Sequence, residues 1–338
     1  MLRLVVLAAL ATGCELVFPF NDPDASVGDT PPGDDASCGA DLANDPLNCG
    51  SCGHACGGAT CTAGLCQPIE LATRPSPIAD VEVSVSHVYW IEGGRIHRMS
   101  KEGGGIETLN APNNVTAIAV DLSRLYWVEN GVVRECLQAS CDAGVVNGLC
   151  TTDGQLSVGD DFVGNTCIDT GVAYRTHKQQ RMPESVITSL SVPAGIVVAG
   201  DDVFVADKGA GRLLVSRDGA NPQPISNDDT VNIDQLAVDD SRVYWTGNNI
   251  IGATERIEAT STIQLTPANM PAAIAASGGR AYYVGGLNTG YLRQVDRAGV
   301  VTDLIPSLDV PVSVAVDDEF VYVLTSPGGV NRILKVAR

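Results

Sequence analysis

The chain has 338 residues and a formal charge of −19 at pH 7, because 40 acidic residues outnumber 21 basic ones. This balance argues against binding to nucleic acid or to anionic lipid, both of which require a basic surface. Only 5 % of the residues are aromatic while 36 are glycine, and this composition favours many short strands joined by tight turns. The length allows one large β domain and a small additional module.

Residues 1–13 have the pattern of an export signal. The positive charge of Arg3 precedes an apolar run over residues 4–11, and small residues lead into Cys14. This run is too short to cross a bilayer, which needs about 20 residues. The end of the segment resembles the bacterial lipobox, although Ala11 stands where that motif more often has leucine. The resemblance implies lipidation of Cys14, and the alternative is an ordinary secretory signal.

Residues 14–37 are predicted to be a solvated tether. After Cys14 this segment contains six acidic residues and four prolines but no lysine or arginine, so it cannot bury a core. With the lipid on Cys14, we expect an exported protein anchored to the cell envelope, at the outer membrane or cell surface rather than the inner membrane.

Residues 38–66 form a predicted cysteine-rich module. Its six cysteines are Cys38, Cys49, Cys52, Cys56, Cys61 and Cys66. A segment with so few large apolar side chains needs cross-links or a metal to hold a shape. Cys49, Cys52, Cys56 and His54 could ligate zinc or an iron–sulfur cluster. Ten cysteines remain besides Cys14, and an even number in an exported chain favours three disulfides here and no metal.

The core of this module, NCG-x-CG-x2-C, is similar to the small cysteine-rich modules of plant stigma-specific proteins, which also recur in secreted proteins of myxobacteria. The resemblance covers about 30 residues and implies no activity. Four further cysteines, Cys136, Cys141, Cys150 and Cys167, lie where the repeat described next is least regular. Neither neighbouring pair is C-x2-C, so structural disulfides are favoured over a redox pair.

Residues 67–338 are a repeat array. An alternating apolar run, a polar turn and an aromatic pair recur with a period near 40 residues, which is typical of four-stranded propeller blades. The aligned anchors are Tyr89, Tyr126, Phe204, Tyr244, Tyr282 and Tyr322, with a degenerate copy at Val163-Gly164. Seven repeats predict an all-β, seven-bladed β-propeller; without the degenerate copy the number is six. The last repeat lacks an outer strand, which residues 68–73 can supply to close the ring.

The Tyr-Trp pairs, with Tyr244-Trp245-Thr246-Gly247 nearest, resemble the YWTD propellers of the low-density-lipoprotein receptor family and the related NHL propellers. The final Asp of that motif is replaced by Glu92, Glu129 or Gly247. The resemblance implies a propeller over residues 67–338, but the hydrogen-bond network of that family does not carry over.

Two groups of polar residues could carry chemistry. The first is a set of Asp-Asp pairs at 160–161, 201–202, 239–240 and 317–318, each predicted in the turn after an inner strand. Asp in such a turn normally caps the backbone, and each turn offers too few oxygens for calcium. The second is the histidines His54, His87, His97 and His177, none of which falls on a predicted inner strand.

No catalytic motif, cofactor site or metal site is predicted. We therefore expect a monomeric binding module that recognises an unknown protein or glycan and does not bind nucleic acid. The alternative is a propeller lyase or hydrolase that uses the central funnel, as streptogramin lyases do with a histidine and a metal. A cluster of acidic or basic side chains in the funnel would bear on this choice.

Overall fold

The computed structural model describes residues 38–109, 114–151, 154–226, 232–257, 262–286 and 289–338. The predicted signal, Cys14 and the tether lie outside these residues. The described structure is almost entirely β, with one short 3-10 helix at Lys208–Ala210. Among the described residues, no helix has the length and apolar character needed to span a membrane.

Seven four-stranded antiparallel sheets form the blades of a propeller, and in each blade we name the strands A to D from the centre outwards. Strands A to D are Ile78–Val83, His87–Glu92, Arg95–Ser100 and Glu107–Thr108 in blade 1; Val115–Val120, Arg124–Glu129, Val132–Leu137 and Gly144–Asn147 in blade 2; Leu156–Val158, Phe162–Cys167, Val172–His177 and Pro183–Ile187 in blade 3; and Pro193–Ala199, Asp202–Asp207, Arg212–Ser216 and Gln223–Ser226 in blade 4.

The remaining blades follow the same order. They are Ile233–Val238, Arg242–Gly247, Ile250–Glu255 and Ile263–Pro267 in blade 5; Pro271–Ser277, Arg280–Gly285, Gly290–Asp296 and Val301–Leu308 in blade 6; and Pro311–Val316, Phe320–Thr325, Asn331–Ala337 and Ile69–Arg74 in blade 7. The all-β, seven-bladed prediction is therefore confirmed, and the six-bladed alternative is wrong.

The degenerate repeat forms a complete blade although it lacks the aromatic anchor, because side chains of the next blade fill the space of the aromatic ring. Gly164 stands in strand B of blade 3, where other blades have a tyrosine or phenylalanine. A Cβ at this glycine would lie 2.5 Å from Val198 and 3.1 Å from Ile196, both on strand A of blade 4. These two side chains occupy the volume that an aromatic anchor takes elsewhere.

The ring closes by pairing the two ends of the repeat array. Ile69–Arg74 pairs antiparallel with Asn331–Ala337 as the outermost strand of blade 7. The buried side chain of Asn331 donates hydrogen bonds to the main-chain oxygens of Arg74 at 3.2 Å and Ser76 at 2.6 Å. This pairing removes the open edge that a linear array would leave on its last blade.

The cysteine-rich segment packs directly on the propeller. Its short hairpin pairs Cys61–Thr62 with Leu65–Cys66. The buried cysteines belong to the same hydrophobic cluster as Phe320, Ile305 and Val336 of blades 6 and 7. Gly57 lies so near the Phe320 ring that a Cβ there would be 2.4 Å from it. The segment therefore shares its core with the blades that close the ring.

Disulfides join the cysteines of the described structure. The pairs are Cys49–Cys61, Cys56–Cys66, Cys136–Cys141 and Cys150–Cys167, and Cys38 and Cys52 are also disulfide-bonded. The sulfurs of Cys49, Cys56 and Cys66 lie within 4.8 Å of one another. Because all three are oxidised, they are not the thiolates that zinc or an iron–sulfur cluster requires.

Candidate functional site

A central channel runs between strands A of all seven blades. Its middle section has a volume of about 280 Å³. At one end it joins a smaller polar section of about 130 Å³, and the two sections share Glu82 and Leu156. At the other end it opens into a wider cavity of about 640 Å³, which we call the mouth; Val83, Val120 and Val158 line both.

The mouth lies on the face that carries the turns between strands A and B, here called the A–B face. Six carboxylates and one ammonium line it: Glu102, Asp121, Asp160, Asp317, Asp318, Glu319 and Lys101. Two apolar side chains beside them, Val85 and Leu122, are 73 % and 86 % exposed. The mouth thus combines strong negative charge with exposed aliphatic surface.

Part of this charge has a structural role. Asp317 Oδ1 accepts hydrogen bonds from the amides of Glu319 and Phe320, and its Oδ2 accepts one from the Tyr322 hydroxyl at 3.0 Å. Lys101 of blade 1 donates to the same Oδ2 at 2.6 Å. The carboxylate therefore caps its own turn and ties blade 7 to blade 1.

The same arrangement recurs at Asp121 and Asp239, which accept hydrogen bonds from their own turns and from Tyr126 and Tyr244. Lys178 of blade 3 reaches Asp121 at 2.7 Å. Burial disfavours ionisation of Asp121, Asp239 and Asp317, but these hydrogen bonds outweigh it and hold each pKa below its ordinary value.

Of the predicted Asp-Asp pairs, those at 239–240 and 317–318 therefore cap their turns through the first carboxylate. Relative to the anchor, the pair at 160–161 lies one position later and the pair at 201–202 two positions later, and a glycine stands just before each. Their side chains do not cap the turn, so the prediction of a shared capping role is wrong for these two blades. Asp160 is left exposed at the mouth.

Of the described residues, two with carboxyl side chains lie inside the channel, both on strand A of blade 1. Asp80 and Glu82 line its polar section, and Glu82 also lines the middle section. A β-bulge places Asp80 opposite no residue of strand B, with a φ of +49°. In the other blades with a bulge in strand A, the bulge falls one position earlier relative to the anchor, for example at residue 312 in blade 7. The bulge therefore gives blade 1 its own side-chain placement in the channel.

Asp80 also provides a hydrogen-bond acceptor for the free edge of strand A in blade 2. Its Oδ2 accepts a hydrogen bond from the main-chain amide of Ile118 at 3.0 Å. Ser313 does the same for Val81, with its Oγ 3.2 Å from that amide. Glu82 differs, because no hydrogen bond is made to its carboxyl within the described part of the chain.

Both carboxyls resist ionisation. Burial raises the pKa of Asp80 to about 6, although hydrogen bonds from the amides of Ile118 and Val81 act in the opposite direction. Burial, and then the charge of Asp80, raise the pKa of Glu82 well above its ordinary value. Burial and mutual repulsion therefore both disfavour a state in which the two carboxyls are ionised together.

The four histidines are elsewhere. His97 is buried against Trp90, with ring centroids 5.7 Å apart, and its burial lowers its pKa. His177 packs edge-on against Phe162, His87 bonds Ser86, and His54 lies in the cysteine-rich module. Among the described residues, no histidine lines the mouth or either section of the channel.

Asp80 and Glu82 were not among the site residues predicted from the sequence. A visible signal existed, since an acidic residue at every second position interrupts an otherwise apolar inner strand. Only the closed ring shows that this strand faces the channel. The bulge at Asp80 has no sequence signature of its own.

Comparison with known proteins shows the fold. No protein-family model matches the sequence, and neither does any curated protein. A virginiamycin B lyase from Staphylococcus aureus superposes with a TM-score of 0.64 at 14 % identity, covering 80 % of this chain and 98 % of that one. A catalytically inactive histidine-to-alanine variant of that enzyme with quinupristin matches equally well. A chain of a nidogen–laminin complex matches with a TM-score of 0.52 at 14 % identity, covering 64 % of this chain and 92 % of that one.

Proposed function

We propose that this chain is an envelope-anchored recognition protein that binds a cationic surface of a partner protein at its A–B face. The observation that carries this proposal is the mouth, where exposed carboxylates surround the exposed side chains of Val85 and Leu122. Asp160 and Asp318 have no ion-pair partner within the described residues, so their charge is available to a ligand. A negative rim around exposed apolar side chains suits a basic protein surface.

The enzymatic alternative has less support in the channel. The lyase among the structural neighbours has a variant whose histidine was replaced and which is catalytically inactive. Here the channel and mouth contain no histidine among the described residues. In the described part of the chain, the titratable side chains that line the channel are Asp80 and Glu82, and two carboxyls suit the binding of a cation.

Anchoring is the second part of the proposal. Cys14 carries the lipid, and the acidic segment after it holds the propeller away from the membrane, at the outer membrane or the cell surface. The disulfides support an oxidising compartment. Replacing Cys14→Ser should move the protein from the membrane fraction to the soluble fraction. Equal membrane association of the two forms would exclude lipid anchoring.

The binding proposal is tested with poly-L-lysine as a defined polycation and dextran sulfate as the polyanion. The full chain should bind the first and not the second, with an affinity that falls as salt is raised. Asp318→Asn should weaken binding, and a double change with Asp160→Asn should weaken it further. Asp309→Asn is the matched control, because this exposed aspartate precedes strand A of blade 7 on the opposite face. Equal loss in the control would contradict a specific role of the A–B face.

A further inference from the structure

The channel below the mouth has a graded chemical character. Next to the mouth its wall includes three valines, Val83, Val120 and Val158, which line both cavities and are called the valine collar here. Further in, it reaches Glu82, and then the polar section with Asp80, Gln155 and Gln235. A ligand that enters from the A–B face therefore passes the acidic groups of the mouth, then the valine collar, and then the carboxyl of Glu82.

The charge of the carboxyl pair sets the charge of a matching ligand. Because the charge of Asp80 opposes ionisation of Glu82, the pair suits a ligand with a single positive charge. A divalent metal fits less well, because no third Asp, Glu, His or Cys of the described chain lies with these two in a metal-binding group. The carboxyl of Glu82 also has no hydrogen-bond donor in the described structure, so an N–H donor would satisfy it.

The valine collar selects the shape of the ligand. A section of about 280 Å³ has room for an unbranched alkyl chain, and Val83, Val120 and Val158 offer it aliphatic contact where the channel meets the mouth. A primary ammonium group on an alkyl stem combines an apolar stem with a compact, three-donor charged end.

We propose that the channel is an alkylammonium site. The stem lies along the valine collar, and the ammonium group donates hydrogen bonds to Glu82 and Asp80. This inference rests on the proposed function, since it names the group that a basic partner inserts at the A–B face. The same chemistry is offered by a lysine side chain of a partner and by a free alkylamine.

The test measures binding of n-hexylammonium to the full chain by titration calorimetry, with n-hexanol as the uncharged control. We expect the amine to bind and hexanol to bind at least tenfold more weakly. Glu82→Gln should weaken amine binding by roughly ten- to hundredfold, which is the range of a charge-assisted hydrogen bond in an enclosed site. Asp309→Asn should leave it unchanged. Equal binding of amine and alcohol, or unchanged affinity in Glu82→Gln, would overturn the proposal.

A second measurement needs no variant. The ammonium competes with the proton held by the carboxyl pair, so its affinity should rise between pH 5 and 8, and binding should release protons to the buffer. Proton release is measured by comparing binding heats in two buffers of different ionisation enthalpy. A pH-independent affinity without proton release would contradict binding at this pair.

A lysine peptide with blocked ends, and the same peptide with an acetylated side chain, distinguish the two sources. Binding of the unmodified peptide alone assigns a lysine side chain, whereas binding of hexylammonium without either peptide assigns a free amine. The experiments also distinguish the two proposals. Binding of poly-L-lysine that depends on Asp318 but not on Glu82 would support the A–B face as a binding surface and contradict the channel site. If wild type binds neither poly-L-lysine nor hexylammonium, both proposals are wrong.

Discussion

The main-chain oxygen of Arg338 lies 3.1 Å from Nε2 of His54, which is 284 positions earlier in the chain. Nδ1 of the same ring is 2.6 Å from the main-chain oxygen of Cys49. Arg338 also donates hydrogen bonds to Ser277 Oγ at 3.0 Å and to the main-chain oxygen of Asp317 at 2.7 Å. The cysteine-rich module therefore holds the end of strand C of blade 7 at the place where the ring closes.

Packing between this module and the propeller is tested at Gly57. Gly57→Ala should destabilise the protein by about 1–3 kcal/mol more than Gly58→Ala, because the added methyl group would overlap the Phe320 ring. Gly58 is a matched control, since it also has a positive φ but no atom within 4 Å of its ideal Cβ position. Urea unfolding of both variants measures the difference. Equal losses would mean that the strained backbone alone sets the cost.

Ring closure is tested by two deletions of equal length. Removing residues 68–73 takes away most of the outer strand of blade 7 and exposes the edge of Asn331–Ala337. Removing residues 24–29 shortens only the predicted tether. The first deletion should lower the melting temperature by many degrees, and the second should leave it nearly unchanged. Similar melting temperatures would contradict closure through this strand.

Periodicity predicted the architecture because six of the blades repeat one local pattern, an alternating strand A followed by a buried aromatic anchor such as Tyr126. Packing between distant segments could not be predicted in this way. The contact of Gly57 with Phe320 and the bulge at Asp80 depend on the closed ring. Capping at Asp121 was not predicted for another reason: the prediction concerned Asp-Asp pairs, and here leucine follows the aspartate.

The turn cap of blade 7 gives a prediction on stability. Asp317→Ala should cost about 1–3 kcal/mol, because it removes the cap, the acceptor of the Tyr322 hydroxyl and the partner of Lys101. Asp318→Ala should cost much less, since this neighbouring side chain is exposed. Chemical unfolding of the two variants under identical conditions makes the comparison. A larger loss of stability in Asp318→Ala would mean that Asp317 is not the carboxylate that caps this turn.

The same aspartate also predicts a pH dependence. Its pKa is lower in the folded protein, so the stability it contributes is present above its unfolded pKa and is lost as the pH falls through the folded one. Asp317→Asn should therefore lose less stability on acidification than wild type. The free energy of unfolding measured from pH 7 down to pH 3 shows this difference, and parallel curves would contradict it.

Glu82 should have the opposite effect on stability. Its pKa is raised in the folded protein, so the folded state binds more protons than the unfolded state above pH 4.5, and stability falls as the pH rises through that region. Glu82→Gln keeps the size of the side chain but removes the ionisation. The variant should match wild type near pH 4 and become increasingly more stable than wild type towards pH 8.

Glu319→Gln is the control, because this carboxylate is exposed at the mouth and its replacement leaves the channel untouched. Melting temperatures of the three proteins across this range decide the matter: a constant difference between Glu82→Gln and wild type would mean that the Glu82 carboxyl ionises in the channel as freely as in water.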